Sequence, residues 1–188
     1  GTTARHFAEV AVTTRQHAIL NGNVVMNKPL TVEEHHASRM ISDPFRLFDC
    51  SLESDGGAAI IVSRSDRARD LKKPLVTIMG VAEGHPESPA SIAQRPDLLD
   101  FGLTKAARRG YAMAGVGPKD IDVAEIYDCF TFTVLRQLEI LGFCKTGEGG
   151  PFVMDGRIGL GGDLPINTHG GLLSQGHVVG LNHVIELT

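Results

Sequence analysis

The stretch Asn167-Thr168-His169-Gly170-Gly171-Leu172-Leu173-Ser174-Gln175-Gly176-His177 constrains the backbone more tightly than any other part of the chain. Its glycines permit conformations and close approaches that a Cβ forbids. The pattern predicts a strand ending at the paired glycines, then a helix starting near Ser174 with His177 in its first turn. Unpaired N–H groups and the positive dipole end at a helix N-terminus disfavour imidazolium. A histidine placed there stays neutral, which suits a proton acceptor or hydrogen-bond partner.

Composition narrows the class of molecule. The chain has 188 residues, 42% apolar and 21% charged, with a net charge of −4. That length supports one core of ordinary domain size. The charge gives no electrostatic case for nucleic acid, and no basic block suggests a membrane surface. No apolar run reaches the ~20 residues of a spanning helix, and the N-terminus lacks a signal-peptide pattern. Three widely spaced cysteines, Cys50, Cys129 and Cys144, argue against a disulfide framework. The absence of export signals and the unpaired thiols together give a cytoplasmic expectation. Eight histidines suggest metal binding by number alone, yet no Cys-x-x-Cys or His-x-x-x-His spacing supports it. The adjacent His35 and His36 cannot share a helical face, so no metal site is expected.

Periodicity organises the rest. Phe7, Val10, Ala11, Thr14 and Ala18 recur at helical spacing and predict an amphipathic helix over 3–19. Thr31-Val32-Glu33-Glu34 is a capping box opening a short helix to about Met40, before Pro44 blocks continuation. A turn at Ser54-Asp55-Gly56-Gly57 leads to a buried strand over 58–62. Ser65 is expected to cap a short helix to Leu71, and a second β-rich run covers 75–81. Residues 85–100, with Pro86, Pro89 and Pro96, read as a loop. Leu103, Ala106, Ala107, Tyr111 and Ala114 mark a helix ended by Gly115, and a short strand follows over 121–126. Phe130, Val134, Leu138 and Leu141 mark another helix, stopped by Gly142. The alternation predicts an α/β layered fold. The chain opens inside a helix and closes on an apolar helix, with Leu181, Val184, Ile185 and Leu187. That makes a fragment, or cover by another polypeptide, the expectation.

A second motif runs from Ala114 through Gly115-Val116-Gly117-Pro118 to Glu125-Ile126-Tyr127-Asp128-Cys129-Phe130. It resembles the C-terminal domain of thiolases, where a like strand ends in Asn-Glu-Ala-Phe or, in the sterol-carrier-protein-x type, His-Asp-Cys-Phe. The Gly170–His177 stretch looks like that family's Gly-His-Pro loop. Cys50-Ser51 through Ser54-Asp55-Gly56-Gly57-Ala58-Ala59 is similar to its Ser-Asp-Gly-Ala-Ala-Ala segment. The resemblance implies a partial thiolase fold (layered αβαβα), incomplete at both ends. Residues 1–73 would be the remainder of the N-terminal half and 74–188 the truncated C-terminal half.

The resemblance also implies a chemistry. Making or breaking a C–C bond beside a thioester carbonyl needs an oxyanion site and a group that moves a proton. His177 would polarise the thioester oxygen, and Tyr127 would stand where the family places Asn or His. Ser51 and His169 would lie near the bound coenzyme. Asp128 reads as a cap for the following helix, and Cys129 and Cys144 as inert buried thiols. Neither family thiol has its counterpart here, so the nucleophilic cysteine would lie outside this chain. Val178 replaces the proline after the histidine, and Asn182-His183 replaces a small Ser-Gly pair. Those departures resemble thiolase-like proteins of the lipid-transfer-protein type that work with a small OB-fold partner. A phenol can donate to an oxyanion, and it shuttles a proton if its pKa is lowered.

The leading expectation is an acyltransferase acting on acyl-CoA thioesters in lipid metabolism, by C–C cleavage or Claisen condensation. The alternatives are a retro-aldol lyase of acyl-CoA side chains working with the OB-fold partner, and a non-catalytic thiolase-like subunit. The coenzyme A thioester is then a substrate, with no permanently bound cofactor. The other thiolase half or a homodimer mate is the expected partner, with no nucleic acid and no membrane span.

Overall fold

The computed structural model describes residues 1–88, 94–97, 99 and 101–188. In chain order these form α1 (Ala4–Asn21), α2 (Val32–Ala37), β1 (Met40–Ser42), β2 (Phe45–Arg46), a 3-10 turn (Leu47–Asp49) and α3 (Ser65–Ala68). There follow α4 (Leu103–Ala114), a 3-10 turn (Pro118–Asp120), α5 (Thr131–Ile140), α6 (Gly149–Phe152), a π-helical turn (Gly171–Gln175) and α7 (Leu181–Glu186). Two compact units result: Gly1–Ala58 with Pro118–Leu187, and Ala59–Gly117. Among the described residues no helix is long and apolar enough to cross a membrane.

The first unit is built around α1. All five of its periodic residues are buried, because a stripe recurring every third and fourth position lies on one helical face. Phe7 and Val10 join Ile126, Leu138, Ile166 and Leu173 in the core. The far end of α1 meets the glycine pair: a Cβ at Gly170 would lie 2.5 Å from Ala18 Cβ, and its φ is +108°. The glycine is required twice over, by its backbone conformation and by the helix against it. Arg15, buried in α1, donates from Nε to Ser174 Oγ at 2.9 Å and pins the π-helical turn.

The Thr31 box forms as expected. Thr31 Oγ1 accepts from Glu34 N at 3.1 Å, and Glu34 Oε2 accepts from Thr31 N at 2.8 Å. The helix stops at Ala37, short of Met40, since the chain turns into the β1–β2 hairpin. The Asp43–Pro44 peptide in that hairpin is cis. Below it His35 Nε2 meets Asp49 Oδ1 at 2.8 Å, and both side chains are buried.

The β expectations fare differently. Residues 121–126 contribute one parallel bridge, Ala124 to Ile166, in place of a strand. Residues 58–62 and 75–81 are not in a ladder, and Ile61 is 95% exposed. A strand needs a hydrogen-bonded neighbour, and among the described residues neither run pairs with another strand. In the second unit residues 80–84 lie along α4 instead, where Arg109 donates to the Glu83 carbonyl. Gly115, with φ +70°, ends α4 as expected. Ser65 is the first residue of α3, whose cap position is Arg64. Pro89 of the loop expected over 85–100 lies outside the described residues.

Candidate functional site

Tyr127 stands at the end of a segment held by a side chain acting as a strand. Asn167, fully buried with φ +49°, accepts from Ile126 N at 2.7 Å and donates to the Ile126 carbonyl at 2.9 Å. One residue on, the buried Asp128 carboxylate accepts from Leu172 N at 2.8 Å and Leu173 N at 3.2 Å. It therefore caps the π-helical turn from a distant point in the chain, and not α5 as its sequence position suggested. The two contacts lock the Tyr127 segment to the segment that delivers His177.

His177 is not in the first turn of a helix. The π-helical turn ends at Gln175, Gly176 follows with φ 157° and ψ 151°, and α7 begins only at Leu181. No helix starts at Ser174, because that residue lies inside the π-helical turn, its N–H donating to Gly170 O, and Gly176 then leaves helical geometry. The loop instead fixes His177 through its own N–H, which donates to Ser54 Oγ at 3.2 Å. Its ring reaches Tyr127: Oη and Nε2 are 2.9 Å apart, with the rings edge to face at 5.9 Å. Both sequence-predicted residues are thus brought together, by loop geometry and not by a helix dipole. Burial, aided by Cys129 and Asp128, pushes the Tyr127 phenol above its ordinary value, the opposite of the lowering expected of a free proton shuttle. The phenol is held protonated and can donate to Nε2 wherever that nitrogen carries no proton.

Beside this pair lies a cleft of about 400 Å³ lined by Ser54, Gly56, Gly176, Val178, Asn182 and Glu186, among others. His169 also lines it. Ser51 does not; its N–H donates to the Cys129 carbonyl at 2.9 Å and ties two loops. Burial raises all three thiols, Cys144 to about 11, so none is poised as a thiolate.

A cluster unseen in the sequence sits below the cleft. Glu125 Oε2 is 3.0 Å from His169 Nε2 and 3.2 Å from His183 Nδ1, and the two nitrogens are 2.9 Å apart. The side chains are 7% exposed or less. Burial opposes charge on both partners, yet hydrogen bonds from the histidines hold Glu125 down at about 2. Against the same burial, Asp128 and Glu125 lift His183 to about 9. The available signal was polarity out of place: a glutamate in the apolar run 121–126 and a histidine within the apolar stripe of α7.

The sequence profile of the family described as "Thiolase C-terminal domain-like" matches residues 84–188. A "17-hydroxy-3-oxo-4-pregnene-20-carboxyl-CoA lyase" of Mycobacterium tuberculosis is 43% identical, over 99% of this chain and 49% of that protein. A "Steroid side-chain-cleaving aldolase" of Thermomonospora curvata is 41% identical over the same shares. The solved "Ltp2-ChsH2(DUF35) aldolase" superposes with a TM-score of 0.94 at 40% identity, covering 99% of this chain and 50% of that one. The chain spans about half the length of the curated relatives it matches. Its architecture is a partial thiolase fold.

Proposed function

This chain belongs to the thiolase C-terminal domain-like family, and on that premise we propose that the whole protein is a retro-aldol lyase of β-hydroxyacyl-CoA thioesters. The substrate class is a steroid-derived side-chain acyl-CoA, and the partner is a small protein of the DUF35 kind with an OB fold. The names of the two curated relatives and of the solved complex support both choices. The observation that carries the reading is the 2.9 Å contact between the Tyr127 hydroxyl and His177 Nε2.

In this reading the substrate hydroxyl approaches Tyr127 Oη. Tyr127 takes the hydroxyl proton while passing its own to His177 Nε2. The Cα–Cβ bond breaks, the β-carbon becomes a ketone, and the electron pair passes to the thioester as its enolate. His177 then returns the proton through Tyr127 to Cα, so no net proton is consumed. A phenol kept neutral by burial suits a relay in which it never carries a lasting charge. In this reading no covalent acyl-enzyme forms.

The test uses the full-length protein with its partner and a β-hydroxyacyl-CoA. Appearance of the ketone and the shortened acyl-CoA in equal amounts, with no acyl adduct by intact mass, supports the lyase. An acyl adduct formed with acetoacetyl-CoA would replace it with acyl transfer.

A further inference from the structure

Glu125 Oε2, His169 Nε2 and His183 Nδ1 form a nearly equilateral triangle, with sides of 2.9, 3.0 and 3.2 Å. Hydrogen bonding cannot satisfy all three sides. Each ring nitrogen offers a single in-plane direction, holding either a proton or a lone pair. If both nitrogens carry protons and donate to Glu125, two N–H groups face each other across 2.9 Å. If one carries a proton, the other turns its lone pair toward the carboxylate. One central cation satisfies every side at once.

We propose that these three atoms are the ligands of a divalent transition-metal ion of the zinc class, in a four-coordinate site whose fourth position opens toward the cleft. Two imidazoles and one carboxylate are a recognised three-ligand set for zinc. With ligand distances of about 2.0–2.1 Å, tetrahedral ligands stand roughly 3.3 Å apart. The triangle needs to open by only a few tenths of an ångström.

The surroundings supply part of what such ligands require, since the buried His169 Nδ1 has no hydrogen-bond partner. A metal-bound histidine turns its other ring nitrogen to a carboxylate or carbonyl. His183 turns Nε2 toward Asp128 Oδ1 at 3.5 Å, a charge contact without a hydrogen bond. Glu125 has its second oxygen occupied: Oε1 accepts from Thr168 N at 2.9 Å and Thr168 Oγ1 at 3.0 Å, leaving Oε2 for the ion. On the cleft side Asn182, 7% exposed, has a buried Oδ1 with no hydrogen-bond partner. That oxygen can accept from a water in the fourth position. The ion would tie the Tyr127 segment, the glycine turn and α7 together, which is independent of the proposed lyase reaction.

The full-length protein, stripped with a chelator, is titrated with Co²⁺ as a spectroscopic probe and with Zn²⁺ as competitor. The expected result is one metal per chain, visible bands of tetrahedral cobalt that zinc erases, and a zinc-dependent rise in Tm reversed by chelator. His183→Ala and Glu125→Gln lose the bands, Asp128→Asn weakens zinc about 10–100-fold, and His177→Ala leaves uptake unchanged. Where His183→Ala does not fold, the Tm of the unmutated protein decides alone. Absence of bands and of any zinc-dependent shift in that protein overturns the site and leaves a proton-sharing network. Bands that persist in folded His183→Ala and Glu125→Gln overturn it as well, since the metal then sits elsewhere.

Discussion

The side-chain amide of Asn167 pairs with both backbone groups of Ile126, accepting at 2.7 Å and donating at 2.9 Å, as a neighbouring strand would. It extends the single Ala124–Ile166 bridge by one register step and ends it immediately before Tyr127. Asn167→Ala leaves a buried donor and a buried acceptor without partners. The expected cost is roughly 2–4 kcal/mol, read as a lower urea midpoint at unchanged slope. A shift within experimental error would mean that the Ile126 segment is held by other contacts.

Tyr127→Phe removes one oxygen and leaves the ring against Gly180, whose Cβ position is 3.3 Å from Tyr127 Cδ2. Turnover of the complete enzyme should fall about 10²–10⁴-fold, with KM changed much less. His177→Ala should cost a similar factor, and the double variant little more, because the two act as one relay. Independent, multiplying effects in the double variant would argue against a shared proton.

Gly171→Ala tests the lock between the two segments. The residue has φ +58°, and its Cβ would collide with the Asp128 carboxylate. The carboxylate cannot yield without releasing Leu172 N and Leu173 N. A loss of the proposed lyase activity together with a fall of several degrees in Tm is expected; an unchanged Tm would show that the turn is not held through Asp128.

Asp49 gives the pH dependence a sign. Burial opposes its ionisation, but hydrogen bonds from His35, Arg46 N and Thr131 outweigh that and hold the carboxyl below its ordinary value. A lowered folded-state pKa contributes stability that is present above the unfolded value of about 4 and is lost as pH falls through the folded value. Asp49→Ala should therefore cost roughly 3 kcal/mol near neutrality. The gap between variant and parent in urea melts should narrow as pH drops below about 4. A gap that stays constant across that range would exclude an ionised Asp49.

Local patterns carried far in the chain itself. The apolar stripe of α1, the Thr31 box, the end of α4 at Gly115 and the run that becomes α5 all depend on neighbours within a few residues, so the sequence was enough to find them. The same holds for the motif pair that pointed to Tyr127 and His177. The strands over 58–62 and 75–81 were not decidable that way, since a β run is completed by a partner elsewhere and neither finds one among the described residues.

Tertiary structure alone decided how the site is held. Sequence placed His177 on a helix; packing placed it in a loop, because the turn pinned by Arg15 through Ser174 ends at Gln175 and Gly176 leaves helical geometry. Asp128 serves the turn at 171–175 although α5 is its chain neighbour, and Glu125, His169 and His183 meet from three segments far apart in number. Composition and spacing report contacts between near neighbours along the chain. Contacts made across the fold answer to shape and charge together, and those appear only when the segments are in place.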